Sequence, residues 1–377
     1  GHAVKFTINV KSFAEALSWV NKTFDSRHHD NNNRQQYMAL SLNDSKPYLF
    51  FVGPTSYMRA EFTTEGEIDG NGVFVLDEQY LSHLGPVLSK VKGTAVVRGN
   101  SSSMSIDTGS GRYTIPLLEL DPPSEPEIVT LGEVPDREFF TSMKNLSKLC
   151  DRSSTGTVFE CVDVTLNDDT ALLMATDRFA LSEIGVNFDQ QSDILNGENL
   201  LIPFSRASMV SASRGLDSSV DLVYEPTTKK FGYRFDDGRV ALFSLIKAEP
   251  INYGSVKNKR DTMTNSLVVE TAAFKDALST VSSLTWDDKY IFLDITEDSL
   301  EVRDESGANR KSVVIEPENV TEFSAKFSKV IIDEAFYPVT TAFVRLQWSE
   351  SNTFVFTPVT EDREPMDNAF VLFIGAK

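Results

Sequence analysis

Few side chains in this sequence have the types and spacing that metal binding requires. His28 and His29 stand beside Asp25 and Asp30, and imidazole and carboxylate groups are the ligands that zinc prefers. Adjacent side chains in an extended segment point in opposite directions, however, and three asparagines follow at 31–33. The pattern therefore favours a polar loop over a metal site.

Candidates for catalysis are equally sparse. Asp177 and Arg178 could form a catalytic pair, but no histidine or second carboxylate lies at a recognisable catalytic spacing. His83 stands alone on a predicted helix, and Cys150 falls on the apolar face of another, where a core position is expected. The sequence has no P-loop, dinucleotide glycine fingerprint or nucleophile-elbow serine. It therefore predicts a protein that is not an enzyme and that needs no metal and no cofactor.

Length and composition indicate an ordinary globular protein. The 377 residues suggest two or three domains, with 41% hydrophobic and 24% charged residues. No apolar run approaches the length that crosses a membrane, and no basic-then-apolar secretory segment opens the chain. The two cysteines, Cys150 and Cys161, cannot form a disulfide framework. We therefore expect a reduced, cytoplasmic protein without membrane association.

Internal repeats give the strongest signal for the fold. Phe13–Val20 matches Phe274–Val281 at five positions, and Phe139–Leu146 is a looser middle copy. Leu40–Asp44 recurs as Val164–Asp168 and Leu293–Glu297, at offsets of 124 and 129 residues. A third marker repeats at an offset of 127 residues: Gly111–Ile115 and Gly238–Leu242. Three copies of nearly one period therefore fill the chain.

Each copy is predicted to contain a short strand, an amphipathic helix, alternating strands, and a second helix late in the copy. The prediction is an α+β fold with three similar domains in tandem, at residues 1–131, 132–259 and 260–377, each with two helices packed on β-sheets. The predicted helices are 11–24, 77–92, 137–152, 203–217, 270–284 and 328–343. Proline-containing segments without a clear pattern, at 120–135 and 248–264, are predicted connectors.

The net charge of −19 argues against nucleic-acid binding unless the basic residues are concentrated on one surface. The predicted helix 137–152 carries Arg137, Lys144, Lys148 and Arg152 in one stripe, opposite an apolar face. A solvated outer surface is the alternative interpretation of this stripe. The six predicted helices have a net charge of +2 and the remainder −21. Helices turned towards DNA would thus present the less repulsive surface, and the acidic exterior would discourage nonspecific binding.

The central segment Met174–Leu181 suggests a family. It follows a predicted hairpin with arms at Cys161–Leu166 and from Ala171, joined by a turn at 167–169. It resembles the A-T-D-G-H-R-L segment in the middle domain of the bacterial sliding clamp, the beta subunit of DNA polymerase III. The matching residues are Ala175, Thr176, Asp177 and Leu181.

Further features extend the resemblance over residues 3–377. They are the three-copy repeat, Ile202-Pro203 at the late middle helix, and the connector with Pro250 and Tyr253. Two departures accompany them. Arg178 and Ala180 replace a family glycine and arginine, and the tail at 374–377 has no counterpart of the family's P-M-R-L.

The resemblance implies a homodimeric ring, joined head to tail, with helices inside and sheets outside. Such a ring encircles duplex DNA without reading its sequence, and it would be associated with the nucleoid. Its partners would be a DNA polymerase, an ATP-dependent clamp loader, and other replication and repair proteins with clamp-binding motifs. The alternative is an acidic three-repeat scaffold that does not encircle DNA.

Two sets of site residues follow from these arguments. The candidate DNA contacts are Lys22, Arg27, Arg137, Lys144, Lys148, Arg152, Arg206 and Arg214. Alignment with the family places a hydrophobic pocket for partner peptides between the middle and last domains. Its residues here would be Thr176, Leu181, Pro250, Val256, Thr353, Val371 and Phe373. Core packing is the competing interpretation for the apolar side chains among them.

Overall fold

The computed structural model describes residues 3–22, 37–207, 218–336, 339–349, 353–366 and 369–374. Its helices are α1 (Val10–Asn21), α2 (Glu78–Leu88), α3 (Asp136–Ser147), α4 (Phe204–Ala207), α5 (Gly254–Thr262), α6 (Thr271–Leu284) and α7 (Lys329–Phe336). Its strands are β1 (Val4–Asn9), β2 (Tyr37–Ser41), β3 (Tyr48–Val52), β4 (Ser56–Glu61), β5 (Thr64–Asp69), β6 (Val73–Asp77), β7 (Thr94–Gly99), β8 (Ser103–Asp107), β9 (Arg112–Pro116), β10 (Val129–Pro135), β11 (Cys161–Leu166), β12 (Thr170–Thr176), β13 (Ala180–Asn187), β14 (Asp189–Gln190), β15 (Asn199–Pro203), β16 (Ser219–Glu225), β17 (Lys230–Phe235), β18 (Val240–Ser244), β19 (Asn265–Glu270), β20 (Tyr290–Ile295), β21 (Leu300–Arg303), β22 (Arg310–Val313), β23 (Ile315–Asn319), β24 (Phe323–Ser328), β25 (Phe343–Trp348), β26 (Thr353–Val359) and β27 (Ala369–Ile374).

The first helix of the outer copies shows how the repeated pattern folds. The side chain of Asn9 accepts a hydrogen bond of 2.9 Å from the backbone N–H of Ser12, which caps the start of α1. In each of α1 and α6, the apolar side chains recur about one helical turn apart. They therefore lie on one face of the helix and pack against a sheet. The equivalent buried residues are Phe13 and Phe274, Ala16 and Ala277, Leu17 and Leu278, and Val20 and Val281.

One compact unit comprises the described parts of Gly1–Glu133 and Ser219–Ser244. It contains a sheet in the order β5-β1-β7-β8-β9 and a second sheet that runs β10-β16-β17-β18-β4-β3-β2-β6. Strand β18 pairs antiparallel with β4, with Val240 opposite Arg59. The segment before β10 is held on this unit because the hydroxyl groups of Tyr48 and Tyr57 each donate a 2.7 Å hydrogen bond to Glu125.

The second compact unit comprises the described parts of Val134–Ser218 and Leu245–Lys377. One sheet runs β15-β11-β12-β13-β27-β26-β25-β19-β23, and another runs β22-β21-β20-β24. Strand β13 pairs antiparallel with β27, with Ala180 opposite Phe373 and Ile184 opposite Ala369. Helices α3, α6 and α7 pack on these sheets.

The strand order explains why a chain with three repeats forms two compact units. Strands β16 to β18 of the central copy continue a sheet of the first copy, through β4. Strands β11 to β13 and β15 continue a sheet of the last copy, through β27. Antiparallel backbone hydrogen bonds across these joins attach each half of the central copy to a neighbouring copy.

Several predicted boundaries were wrong. The connector predicted at 248–264 contains helix α5, and the connector predicted at 120–135 ends in strand β10. Helix α3 ends at Ser147, so the predicted stripe on it is shorter and Arg152 lies in the turn that follows. Helix α7 ends at Phe336 rather than at 343. The hairpin of β11 and β12 was predicted correctly.

Candidate DNA-binding and peptide-binding surfaces

The tip of the β12–β13 hairpin is built by Thr176 and Asp177. The Asp177 carboxylate accepts hydrogen bonds from the backbone N–H groups of Phe179 (2.9 Å) and Ala180 (2.7 Å). The Thr176 hydroxyl donates to the carbonyl oxygen of Ala180 (2.7 Å) and accepts from the N–H of Arg178 (3.2 Å). They add to the backbone hydrogen bond from the N–H of Asp177 to the carbonyl oxygen of Ala180 (3.2 Å). The two residues therefore shape the loop rather than perform chemistry.

Arg178 occupies the left-handed region of backbone space, with φ of +81°. Its guanidinium lies 3.9 Å from the ring centroid of Phe159 and 3.2 Å from a carboxylate oxygen of Asp151. Hydrogen bonds from Ser153, Ser154 and then Arg178 hold the pKa of Asp151 well below its usual range. The hairpin tip is thus fastened to the segment that follows α3.

Helix α5 covers an apolar cluster on the adjoining part of the sheet. The buried members of this cluster, called the Leu181 cluster below, are Met174, Leu181, Tyr253, Met263 and Val355; Ile251 and Val256 are half-buried against them. The cluster joins strands of the central and last copies to the connector. It therefore has the composition that a pocket for an aliphatic or aromatic anchor requires.

An ion pair fastens α5 to the sheet beside this cluster. The Lys257 ammonium lies 2.6 Å from a carboxylate oxygen of Glu183, which is buried on β13. Burial raises the pKa of Glu183, and the hydrogen bond and charge of Lys257 oppose that rise. The Asn252 side chain accepts from the N–H of Gly254 (3.1 Å) at the start of the helix. Lys259 and Arg260 complement the helix dipole at its end.

The structure brings together only some of the predicted pocket residues. Leu181 and Val256 meet in the Leu181 cluster. Thr353 is half-buried on β26, two residues from Val355, and Pro250 is exposed before α5. Val371 is buried opposite Ser182 and Phe356, so strand alternation turns it to the face away from Leu181. The backbone of Phe373 pairs with Ala180, but its side chain lies outside the described residues.

Helix α3 separates its charged and apolar faces as predicted. Phe139, Phe140, Met143 and Leu146 are buried. Arg137 and Lys144 are exposed, and Lys148, at the C-cap, is half-buried. The exposed face therefore offers two cations and one carboxylate, that of Glu138, and its net positive charge suits contact with phosphate groups.

The remaining basic candidates have mixed surroundings. Arg152 is exposed with its guanidinium 4.3 Å from the Phe204 ring, and Arg206 is half-buried in α4. The Lys22 ammonium lies 4.7 Å from the Trp19 ring, and partial burial together with the charge of Arg239 lowers its pKa. Arg27 and Arg214 lie outside the described residues.

Comparison with solved structures connects these surfaces to a known architecture. A sliding clamp from Bacillus subtilis matches with a TM-score of 0.81 and 17% identity, covering 100% of both chains. A Pseudomonas aeruginosa clamp bound to griselimycin matches at 0.78 and 13%, again over 100% of both. A Helicobacter pylori beta clamp bound to a DNA ligase peptide matches at 0.76 and 14%, over 99% and 100%. No protein-family model matches the chain.

The chain has the bacterial sliding-clamp fold. The match over its full length confirms the predicted α+β architecture and the resemblance on which it rested. The low identity explains why only short motifs of the clamp family are visible in the sequence.

The described part of the chain includes both cysteines of the sequence. No group of three or more histidine, cysteine or acidic residues could hold a metal there, while Asp25, His28, His29 and Asp30 lie outside it. Burial raises the pKa of Cys161 to about 12, and that of Cys150 higher still, so both thiols stay protonated. No described helix is long and apolar enough to cross a membrane.

Proposed function

We propose that this protein is a DNA sliding clamp. It is a non-catalytic, ring-shaped homodimer that encircles duplex DNA and tethers a replicative polymerase. The observation that carries the proposal is the fold match at a TM-score of 0.81, which covers 100% of this chain and 100% of the Bacillus subtilis clamp. In this proposal the clamp domains are residues 1–131, 132–259 and 260–377. The working location is the cytoplasm, on the nucleoid.

The DNA-facing surface would include the exposed side of α3. Arg137 and Lys144 project from this helix while its opposite side is buried, so neither cation is needed for packing. Lys22, Lys148, Arg152 and Arg206 are further candidates, and Arg27 and Arg214 stay candidates from the sequence. Contacts between such side chains and phosphates hold any sequence equally and allow sliding.

The Leu181 cluster would form the partner-peptide pocket. A related Helicobacter pylori clamp binds a DNA ligase peptide, and the same use is proposed here. Leu181 and Val256 would contact the apolar anchor of a peptide, with Thr176, Pro250, Thr353 and Phe373 as the other aligned positions; Val371, on the other face of the sheet, would not contact it. The partners would be polymerase, the ATP-dependent loader, and repair proteins with a short apolar motif.

The second copy would dock at the end of α6. Three large apolar side chains are exposed there: Leu284 (60%), Trp286 (84%) and Val330 (61%). Lys329 donates to the carbonyl oxygen of Ser282 (3.1 Å), which keeps the start of α7 beside the end of α6. Exposed apolar groups gathered in one place mark association surfaces.

The decisive experiment loads the protein onto nicked circular DNA with a cognate loader and ATP, and then linearises the DNA. A ring held by topology stays on circles and slides off free ends. The control is DNA whose two ends are blocked by bound protein after linearisation. A ring cannot slide past the blocks, so it should be retained.

Two other outcomes would contradict the proposal. Retention that linearisation does not change, and that falls steeply as the salt concentration rises, would indicate ordinary electrostatic binding. Failure to load with a confirmed cognate loader would favour the acidic three-repeat scaffold, with which the net charge of −19 is compatible.

A further inference from the structure

Helix α5 is basic, although the chain as a whole has a net charge of −19. Its nine residues include three cations and one carboxylate: Lys257, Lys259, Arg260 and Asp261. The helix has no buried residue, and its Val256 is half-buried against the Leu181 cluster. It therefore places a local excess of positive charge beside the proposed peptide pocket.

Two of the three cations on α5 are engaged by the protein itself. Lys257 pairs with the buried Glu183 at 2.6 Å. Burial raises the pKa of Glu183, and the charge of Arg260 opposes that rise together with Lys257. Lys259 is exposed, and its ammonium has no salt bridge within the described residues. It is therefore the cation of α5 that is available to a bound partner.

Helical geometry directs Lys259 towards the pocket. It lies three residues after Val256, so the two side chains are about 60° apart around the helix and are neighbours on its surface. Long side chains of a helix lean towards its N-terminus, so Lys259 covers the turn that contains Val256. Asp261 lies about 140° from Val256. The unpaired cation therefore borders the pocket, and the carboxylate lies on the other side of the helix.

Other charged groups near this rim are offset or engaged. Lys247 and Glu249 are both exposed on the connector before α5, and their charges cancel. At the hairpin tip, the Asp177 carboxylate binds backbone N–H groups of its own loop. More distant acidic residues act weakly, because exposed charges farther apart than about 8 Å are screened at physiological ionic strength. The local charge at the rim is therefore set by α5.

We propose that Lys259 selects partner peptides in which acidic residues flank the apolar anchor. The inference rests on the proposed function, because it assigns a charge to the peptide that the Leu181 cluster would bind. An aspartate or glutamate beside the anchor would pair with Lys259 at the exposed rim, where solvent keeps such a pair weak. We therefore expect an acidic flank to improve the affinity about two- to fivefold at low salt, and by less at high salt.

The experiment compares labelled peptides by fluorescence anisotropy. Two peptides share a Leu-Leu anchor, and the residues on each side of it are aspartates in one and asparagines in the other. The wild-type protein should prefer the aspartate peptide. Lys259→Gln should bind the two equally, and Lys259→Glu should prefer the asparagine peptide. A third peptide, with lysines at the flanking positions, should bind Lys259→Glu more tightly than it binds wild type.

Lys289→Glu is the matched control for net charge, because Lys289 is an exposed cation between α6 and β20 in the same compact unit. This variant should keep the wild-type preference. Lys259 also lies in the last turn of α5, where a cation complements the helix dipole, so thermal unfolding of each variant is measured as well. A lower Tm for Lys259→Gln with an unchanged ratio of the two affinities would mean a role in helix stability alone and would overturn the proposal.

The remaining outcomes separate this inference from the proposed pocket. Equal binding of the aspartate and asparagine peptides by wild type, with binding lost when alanines replace the anchor, would overturn the inference and leave the pocket in place. An equal loss of preference in Lys289→Glu would assign the preference to total charge and would also contradict the role of Lys259. If no peptide binds even at millimolar concentration, the proposed pocket fails and the inference fails with it.

Discussion

At the scale of single residues, Arg178 combines a costly backbone conformation with compensating contacts. Its positive φ is unfavourable for any residue with a Cβ atom, while its guanidinium pairs with Asp151 and stacks on Phe159. Because half of the side chain is exposed, we expect Arg178→Ala to lower the free energy of unfolding by only about 1 kcal/mol. Arg178→Gly loses the same contacts but relieves the backbone.

The glycine variant should therefore be more stable than the alanine variant by about 1 kcal/mol. Denaturant titration of the three proteins measures the difference. Equal stabilities of the two variants would show that the positive φ carries no strain here.

Asp163 should make stability depend on pH in an unusual direction. Burial on β11 raises its pKa to about 6, although two hydrogen bonds from Asn199 oppose the rise. As pH increases, the unfolded chain loses this proton first, near the ordinary value of 3.8. Protonated Asp163 therefore contributes to the free energy of unfolding below that pH. This contribution, about 3 kcal/mol, is lost as pH rises through about 6.

The Asp163→Asn variant should lack this pH-dependent contribution. The difference in unfolding free energy between wild type and variant should therefore change by about 3 kcal/mol between pH 4 and pH 7, since each unit of pKa shift corresponds to about 1.4 kcal/mol. Asp168→Asn, which removes an exposed carboxylate from the neighbouring turn, is the control. Parallel pH profiles for wild type and Asp163→Asn would contradict the prediction.

At the scale of elements, local sequence patterns predicted the helices and hairpins well. They failed where tertiary contacts determine the secondary structure. The buried positions of α1 and α6 follow helical spacing, and Asn167–Asp169 marks the turn between β11 and β12. Helix α5 was missed because it has no fully buried residue and few apolar positions. Tyr253 and Lys257 attach it to the sheet through tertiary contacts.

The composition of the Leu181 cluster could be predicted only in part for the same reason. Leu181 and Val256 came from a short motif and a connector that align with the clamp family. Met174, Met263 and Val355 join them through strand register and helix docking, which a single sequence does not reveal. Met174 could have been predicted from the sequence, because strand alternation places it on the same face of β12 as Thr176.

The α5 surface yields a test of peptide binding that spares the core. Val256 is half-buried at the edge of the Leu181 cluster, so Val256→Glu should place a charge in the pocket and weaken an apolar polymerase-tail peptide by at least about tenfold. Ser255→Glu adds the same charge on an exposed neighbour of the same helix and should bind normally. Fluorescence anisotropy of a labelled peptide measures both. Normal binding by Val256→Glu would place the pocket elsewhere.

The α3 face yields a test of DNA contact. Arg137→Glu with Lys144→Glu should reduce the affinity for short duplex DNA and lower the slope of log affinity against log salt by about 2, because two phosphate contacts are lost. Lys46→Glu with Arg112→Glu is the control for net charge, because it reverses two exposed cations outside the helices and so changes the charge by the same amount. If both variants lose affinity equally, total charge rather than the helix face governs binding.

At the scale of the whole molecule, the proposed clamp function would require the acidic chain to be held on DNA by ring closure rather than by electrostatic attraction. A net charge of −19 makes strong electrostatic binding by the entire surface unfavourable, so a ring must stay closed to remain bound. Closure of a homodimer depends on each joint, and the exposed Leu284 and Trp286 are the side chains whose burial would contribute most at the proposed joint. Burying both should stabilise each joint by several kcal/mol, about 1.5–3 kcal/mol for each side chain.

Leu284→Ala with Trp286→Ala should therefore convert the dimer to a monomer at micromolar concentration, as measured by light scattering. Because both side chains are exposed in the subunit, its unfolding free energy should change little. The monomer should still bind the polymerase-tail peptide, since the Leu181 cluster is intact, but it should be lost from circular DNA. Leu120→Ala, which removes another exposed apolar side chain, should remain dimeric. A dimer that survives the double substitution would place the joint on another surface, whereas a wild-type monomer would contradict the ring itself.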